Sequence, residues 1–122
     1  MAGIKTAKGA KGKCDKLVRE ILLLNYDRCL KCSSRDWLQT SHIISRRYSN
    51  TRCDMDNVQL LCAKCHRRFT DFPREFSHWI TESIGSDKYE ELRAKAENIG
   101  QKMDWSLELE RLKEIRDDSK NN

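Results

Sequence analysis

The strongest constraint on this chain is a pair of Cys-x-x-Cys sequences, Cys29/Cys32 and Cys62/Cys65, which are separated by 29 residues. A Cys-x-x-Cys turn holds two sulfur atoms at the spacing of two corners of a tetrahedral zinc ion, and two such turns complete a four-sulfur shell. The segment between the pairs is polar and rich in turn-forming residues. Because it cannot bury enough apolar surface to fix its own backbone, the spacing predicts a structural zinc site whose metal supplies folding free energy.

Three other uses of these cysteines fit the sequence less well. A disulfide framework requires an oxidising compartment, and we expect none, since no apolar core follows the N-terminal lysines as it would in a secretory signal. A thioredoxin-like redox motif needs one pair rather than two. The run Cys-Ala-Lys-Cys-His at 62–66 also matches c-type haem attachment. That attachment requires export and would leave Cys29 and Cys32 without a role.

The charge is distributed unevenly along the 122 residues. Residues 1–52 carry a net charge of +8, whereas residues 53–85 carry −1 and residues 86–122 carry −2. A basic half of this kind indicates contact with a polyanion, most often nucleic acid, although lysine runs are also common as solvated tails. The longest apolar run, residues 21–24, is far shorter than the roughly 20 residues that cross a membrane. We therefore expect a soluble intracellular protein.

The sequence suggests three parts. Residues 1–13 are small residues and lysines without apolar periodicity, which predicts a flexible basic tail. Residues 14–84 contain the cysteine pairs and form the predicted central domain, and residues 85–122 form a predicted helical extension whose last residues, 117–122, should fray. The expected elements are a helix over 15–25, a short strand over 40–44, and helices over 61–72, 73–84, 86–103 and from 106 onwards.

Two histidines and an asparagine accompany the cysteine pairs. His42 follows the first pair, Asn57 precedes the second, and His66 directly follows the second. In this order the residues resemble the HNH endonucleases, and in particular the subtype with a four-cysteine zinc site. The resemblance covers about residues 14–84 and implies an α+β fold, a small zinc-stapled ββα-metal core with flanking helices. The run from Arg46 to Phe76 is similar, more narrowly, to the NinG-type recombination nucleases of phages and prophages.

The resemblance implies a metal-dependent DNA endonuclease that hydrolyses phosphodiester bonds. His42 would be the general base that activates water, a role that suits imidazole because it titrates near neutral pH without help. Asn57 would hold the hairpin loop that orients His42. His66 would bind a catalytic divalent cation, Mg²⁺ or another ion, which would polarise the scissile phosphate and stabilise the departing 3′ oxygen.

One position departs from the pattern of the family. Many HNH enzymes have an acidic metal ligand immediately before the base, and Ser41 stands there in this chain. Serine is a poor ligand for a hard divalent ion. Water, phosphate oxygens or another acid such as Asp36 or Asp56 would have to complete the shell; otherwise metal affinity would be weak or activity lost. Ser41 therefore favours the alternative function, a non-catalytic zinc-bearing module that binds DNA or acts as an adaptor.

The remaining expectations concern the surroundings of these residues. Cys14 and Cys53 have no partner at ligand spacing, so we expect small residues in the core or at the surface. Five arginines flank the candidates and would contact DNA phosphates without reading bases: Arg46, Arg47, Arg52, Arg67 and Arg68. Six aromatic residues are expected in the core: Trp37, Tyr48, Phe69, Phe72, Phe76 and Trp79. The phage resemblance suggests partners among recombination or terminase components, in the cytoplasm of a bacterial host.

Overall fold

The computed structural model describes residues 2–98, 100 and 102–121, with side chains from residue 9 onwards. Within these residues the chain forms helices and two short strands, joined by loops and one 3-10 turn at Met55–Asn57. The elements in chain order are α1 (Ala2–Asn25), β1 (Leu38–His42), α2 (Ser49–Arg52), β2 (Val58–Cys62), α3 (Ala63–Asp71), α4 (Pro73–Ile84), α5 (Ser86–Glu97) and α6 (Trp105–Lys120).

The two strands form an antiparallel hairpin that leads directly into a helix. Leu38 lies opposite Cys62 and His42 opposite Val58, and α3 begins at the residue after β2. Strand β2 is buried along its whole length, because helices cover both of its faces. This order of two strands and a helix, with further helices around it, confirms the predicted α+β fold. The strand predicted over 40–44 lies two residues earlier, at 38–42.

Helix α6 lies parallel to α1 along most of its length. The Cys14 thiol donates a hydrogen bond to the carbonyl of Trp105 over 3.6 Å at one end. At the other end the Asn25 amide donates to the Ser119 hydroxyl over 3.1 Å. Between these contacts the two helices and β2 share a core of buried side chains: Leu17, Val18, Ile21, Leu60 and Leu112. The predicted C-terminal extension thus packs into the same core as the strands.

Helix α1 begins at Ala2 rather than near Asp15, so residues that were predicted as a flexible tail are helical. The Lys11 ammonium lies 5.5 Å from the centre of the Trp105 ring. Lysine and alanine are good helix formers, whereas glycine costs about 1 kcal/mol in a helix interior. Lys11 lies between Gly9 and Gly12, so its contact with α6 supports this part of the helix, and the sequence of the tail alone does not reveal that contact. The division of the chain into three parts remains a prediction.

A second apolar cluster lies between α3, α4 and the cysteine pairs. The Phe69 ring centre lies 5.1 Å from that of Phe76 and 5.2 Å from that of Trp79. These three aromatics are in the core, as predicted. Trp37 and Phe72 are not, with 82% and 46% of their surfaces exposed. Trp37 immediately precedes β1 and has a positive φ of 55°, and Phe72 lies in the break between α3 and α4, so neither faces the core.

The helix boundaries follow local signals in most places. Pro73 opens α4, where its missing N–H leaves no helical bond unmade. Gly85 has a φ of 87°, which glycine adopts without strain, and it separates α4 from α5. Helix α5 ends at Glu97 instead of near residue 103.

The last helix differs from its prediction at both ends. Asp104, rather than Ser106, caps α6 by accepting hydrogen bonds from the backbone N–H groups of Ser106 and Leu107. The helix continues to Lys120, so most of the segment expected to fray is helical. In the described part of the chain, no helix combines the length and the apolar character that crossing a membrane requires.

Candidate metal centre and active site

The four cysteines of the two pairs come together at one end of the hairpin. Their sulfur atoms all lie within 4.8 Å of one another, and those of Cys32 and Cys62 are 3.6 Å apart. Tetrahedral coordination with metal–sulfur bonds of about 2.3 Å requires sulfur atoms about 3.8 Å apart. The donor set therefore fits a tetrahedral metal ion, and Cys29, Cys32, Cys62 and Cys65 are positioned to bind one. This confirms the predicted four-cysteine site.

Each Cys-x-x-Cys turn aims backbone N–H groups at its first sulfur. The amides of Lys31 and Cys32 donate to Cys29 Sγ over 3.4 and 3.5 Å, and the amide of Cys65 donates to Cys62 Sγ over 3.5 Å. Burial alone would raise the pKa of Cys29, but these hydrogen bonds outweigh it and lower the pKa to about 7. N–H donors to sulfur stabilise the thiolate, which is the form that binds metal.

Cys14 and Cys53 lie in the core, apart from the metal cluster. Their exposed fractions are 0% and 1%. Burial raises the pKa of both thiols, and the nearby carboxylates Asp15 and Glu108 raise it further. Inert buried thiols of this kind agree with the sequence expectation that they are not ligands.

His42 occupies the last position of β1 and is held by a backbone carbonyl. Its Nε2 atom lies 2.9 Å from the carbonyl oxygen of Arg52. A carbonyl oxygen can only accept a hydrogen bond, so Nε2 carries the proton and Nδ1 of the neutral ring can accept another. Burial lowers the pKa of His42 below its usual value, although the bond to the Arg52 carbonyl opposes this. The arrangement provides an oriented imidazole that stays neutral at physiological pH.

Asn57 is fully buried immediately before β2. Its Oδ1 accepts from the Ile44 backbone N–H over 2.7 Å. Its Nδ2 donates to the Ile44 carbonyl over 3.1 Å and to the Thr51 carbonyl over 2.9 Å. The Asn57 side chain thus links Ile44, which follows β1, to Thr51. The residue after Thr51 is Arg52, and its carbonyl oxygen bonds to His42.

His42 and His66 line one cleft. The cleft has a volume of about 330 Å³. Its remaining lining residues are Asp15, Lys16, Val18, Arg19, Thr40 and Arg46. His66 reaches it from the first turn of α3, one residue after the metal cluster. The structure thus brings together the two predicted histidines on a basic surface, whereas Asn57 does not line the cleft.

The carboxylate in this cleft is Asp15, which the sequence analysis did not single out. Its two oxygens accept from Arg52 Nε over 3.0 Å and from Arg52 Nη2 over 2.7 Å. Burial would raise the pKa of Asp15, but the hydrogen bonds and charge of Arg52 lower it below its usual value. No local pattern marks this residue, because the pair joins α1 to the last residue of α2, 37 residues later in the chain.

The other acids that were considered lie elsewhere. Neither Asp36 nor Asp56 lines the cleft, and Asp56 accepts from the Lys88 ammonium over 2.9 Å at the surface. Ser41 is buried, with 4% of its surface exposed. Neighbouring residues of a strand face opposite sides of the sheet, so Ser41 points away from the side that carries His42.

The five predicted phosphate-binding arginines have different surroundings. Arg46 and Arg67 are mostly exposed, at 64% and 86% of the side chain. The Arg47 guanidinium lies over the Tyr48 ring. Arg52 is 13% exposed and held by Asp15, and Arg68 donates to Glu75 over 2.8 and 2.6 Å.

A comparison with protein families bears on this geometry. Residues 29–72 match the family model of the HNH endonucleases. The HNH segment, as we call residues 29–72, contains both cysteine pairs, His42, Asn57 and His66, and excludes α1, α4, α5 and α6. The match favours nuclease activity, and HNH nucleases act on DNA. No curated protein and no solved structure matches the chain.

Proposed function

We propose that this chain is a metal-dependent DNA endonuclease with His42 as its general base. The observation that supports this most is the hydrogen bond between His42 Nε2 and the Arg52 carbonyl, in a cleft that also contains His66. It leaves His42 Nδ1 free to accept a proton from water. The resulting hydroxide attacks phosphorus, and the bond to the 3′ oxygen breaks.

The two metals in this proposal have separate sites. The four cysteines hold zinc, whose preference for tetrahedral sulfur ligands matches their geometry. His66 binds the catalytic divalent ion, Mg²⁺ or another cation. When bound, that ion would polarise the scissile phosphate and stabilise the negative charge on the departing oxygen. Because Arg52 holds both oxygens of Asp15, phosphate and water oxygens would have to supply the other ligands of that ion.

In this proposal DNA binds at the cleft along its basic wall, the side that the lining cations form. Lys16, Arg19 and Arg46 line the cleft beside the two histidines. Arg47 and Arg67 extend this basic surface, since both are exposed. We propose that these side chains contact phosphates and position the backbone. Arg52 and Arg68 belong to the predicted set as well, but carboxylates at 2.7 and 2.6 Å hold them in the free protein. The carboxylate partners of Arg46 and Arg67 are more distant, at 3.8 and 4.0 Å.

The alternative function is a non-catalytic zinc-bearing module that binds DNA or acts as an adaptor. Two observations favour it: Ser41 replaces an acidic ligand and is buried, and the nearest carboxylate, Asp15, is engaged. A plasmid-nicking assay with Mg²⁺, Mn²⁺ or Ni²⁺, and with a chelator, separates the two functions. We expect divalent-ion-dependent nicking; DNA binding without nicking under every metal condition would favour the alternative.

The proposed setting is DNA recombination or packaging in a phage, beside recombination or terminase components in the cytoplasm of a bacterial host. This proposal depends on the resemblance to NinG-type nucleases, which is an analogy between folds rather than between substrates.

The basic wall allows a quantitative prediction of how DNA affinity depends on salt concentration. Lys16 is exposed and lines the cleft, so Lys16→Ala should weaken binding of all DNA sequences similarly. The slope of log affinity against log salt concentration should fall by about 1, the value for one lost phosphate contact. Fluorescence anisotropy at several salt concentrations measures this slope. Lys120→Ala is the matched control, because Lys120 lies at the far end of α6; an equal effect of both changes would place DNA elsewhere.

The pH dependence of cleavage follows from the burial of His42. Protonation removes the base, and burial lowers the pKa of His42. Activity should therefore fall on the acid side with a midpoint below the ordinary histidine value of about 6.5. The charged and titratable groups around the ring are Asp15, Lys16, Arg19, Arg46, Arg52 and His66. Initial rates at fixed metal give the profile, and a midpoint clearly above that value would contradict the assignment.

A further inference from the structure

The residue whose carbonyl holds His42 is itself held from outside the HNH segment. The side chain of Arg52 is 13% exposed, and both of its donor nitrogens that face α1 bond to Asp15. The next residue is held as well: the Cys53 thiol donates to Asp15 Oδ1 over 3.6 Å, and Arg111 Nη2 of α6 donates to the Cys53 carbonyl over 3.2 Å.

Helix α1 therefore holds both residues that follow Thr51, through Asp15, and α6 holds the second of them, through Arg111. The residue before Arg52 is held too, because the Asn57 side chain donates a hydrogen bond to the Thr51 carbonyl. The carbonyl of Arg52 lies between these anchors, and it is the acceptor that fixes the tautomer and orientation of His42. A paired, planar guanidinium–carboxylate contact has a narrow geometry, so it restrains the backbone of Arg52 more strongly than a single hydrogen bond would.

We propose that Asp15 is a positioning residue for the general base, acting through the side chain and carbonyl of Arg52. This inference rests on the proposed function of His42. It assigns a role in the reaction to α1, a helix outside the segment that matches the HNH family model. Asp15 does not contact the reacting atoms in this role.

The test compares Asp15→Asn with Glu20→Gln, the same change of carboxylate to amide on the same helix. Glu20 lies 3.8 Å from Arg116 of α6 and does not contact the base. Asp15→Asn should lower kcat for DNA cleavage by about 10- to 100-fold with little change in KM, because small misplacements of a reacting group have effects of this size. Glu20→Gln should cleave like the wild type. Equal cleavage by folded Asp15→Asn and wild type would overturn the proposal.

A second variant changes the other residue of the Asp15–Arg52 pair. Arg52→Gln removes the charged side chain and keeps the carbonyl that holds His42. If the pair acts as a unit, Arg52→Gln should match Asp15→Asn, and the double variant should lose no more than either single one. Losses that multiply in the double variant would contradict the proposal. Unfolding of both single variants would contradict it too, because the pair would then support the fold rather than the base.

A measurement without DNA separates this proposal from the proposed nuclease function. The nitrogen chemical shifts of the imidazole rings report which ring nitrogen carries the proton, and the sequence has only three histidines to assign. The wild type should show His42 as the Nε2–H form, and Asp15→Asn should show a mixture of both forms. If the wild type does not cleave DNA but this shift occurs, the nuclease assignment fails and the positioning remains. An unchanged His42 signal in Asp15→Asn would overturn the positioning role.

Discussion

Cys62→Ser is expected to release the bound metal and to unfold the region between the two cysteine pairs. Cys62 ends the buried strand β2 and caps helix α3, so a metal bound to the four sulfurs would join the loop of the first pair to the hairpin and to α3. Structural zinc contributes on the order of 10 kcal/mol of apparent binding free energy, which is comparable with the whole stability of a small domain, about 5–15 kcal/mol. Metal content per chain and circular dichroism measure the two effects.

Cys53→Ser is the matched control for this experiment. Its thiol is as buried as that of Cys29, and both have an exposed fraction of 1%, but it lies in the core cluster of α1 and α6. The variant should lose some thermal stability, because it buries a hydroxyl group, and keep its full metal content. Cys14→Ser should behave in the same way. Equal metal loss in Cys53→Ser and Cys62→Ser would show that the four-cysteine assignment is wrong.

His42→Ala is expected to remove most cleavage while DNA affinity and zinc content stay unchanged. Loss of a general base typically lowers the rate by about 10²- to 10⁴-fold. The side chain lies at the end of β1, away from the four sulfurs, and bonds to a backbone carbonyl rather than to DNA. His78→Ala is the control, since His78 is exposed on α4 and pairs with Glu82 over 3.1 Å. Wild-type rates in both variants would show that His42 is structural.

The four-cysteine cluster and several helix ends could be predicted from the sequence because their signals are short-range. Each Cys-x-x-Cys turn is complete within four residues, and Pro73 and Gly85 mark helix ends through their own backbone preferences. The ββα arrangement is implied by the resemblance to the HNH endonucleases, which is based on the order of His42, Asn57 and His66 relative to the cysteines. Burial of Asn57 with three hydrogen bonds agrees with the role that the resemblance implied for it, although that role is still a proposal.

The contribution of α1 could not be predicted in this way. Its pairing with α6 joins residues about 90 positions apart, such as Cys14 and Trp105, and neither sequence indicates the other. The same long-range packing places Asp15 against Arg52 and Lys11 over the Trp105 ring. The first acid in the chain thus appeared as one charge in a basic half, and its role depends on a neighbour that only the folded chain supplies.

The measurement that tests the central claim most directly is a divalent-ion titration of DNA cleavage by wild type, His42→Ala and His66→Ala, with zinc content checked in each. We expect the His66→Ala rate to recover partly at high Mg²⁺ or Mn²⁺, because that change weakens binding of an ion. The His42→Ala rate should stay low at every metal concentration, because no ion replaces the missing base. Recovery of His42→Ala to the wild-type rate at saturating metal would contradict the account.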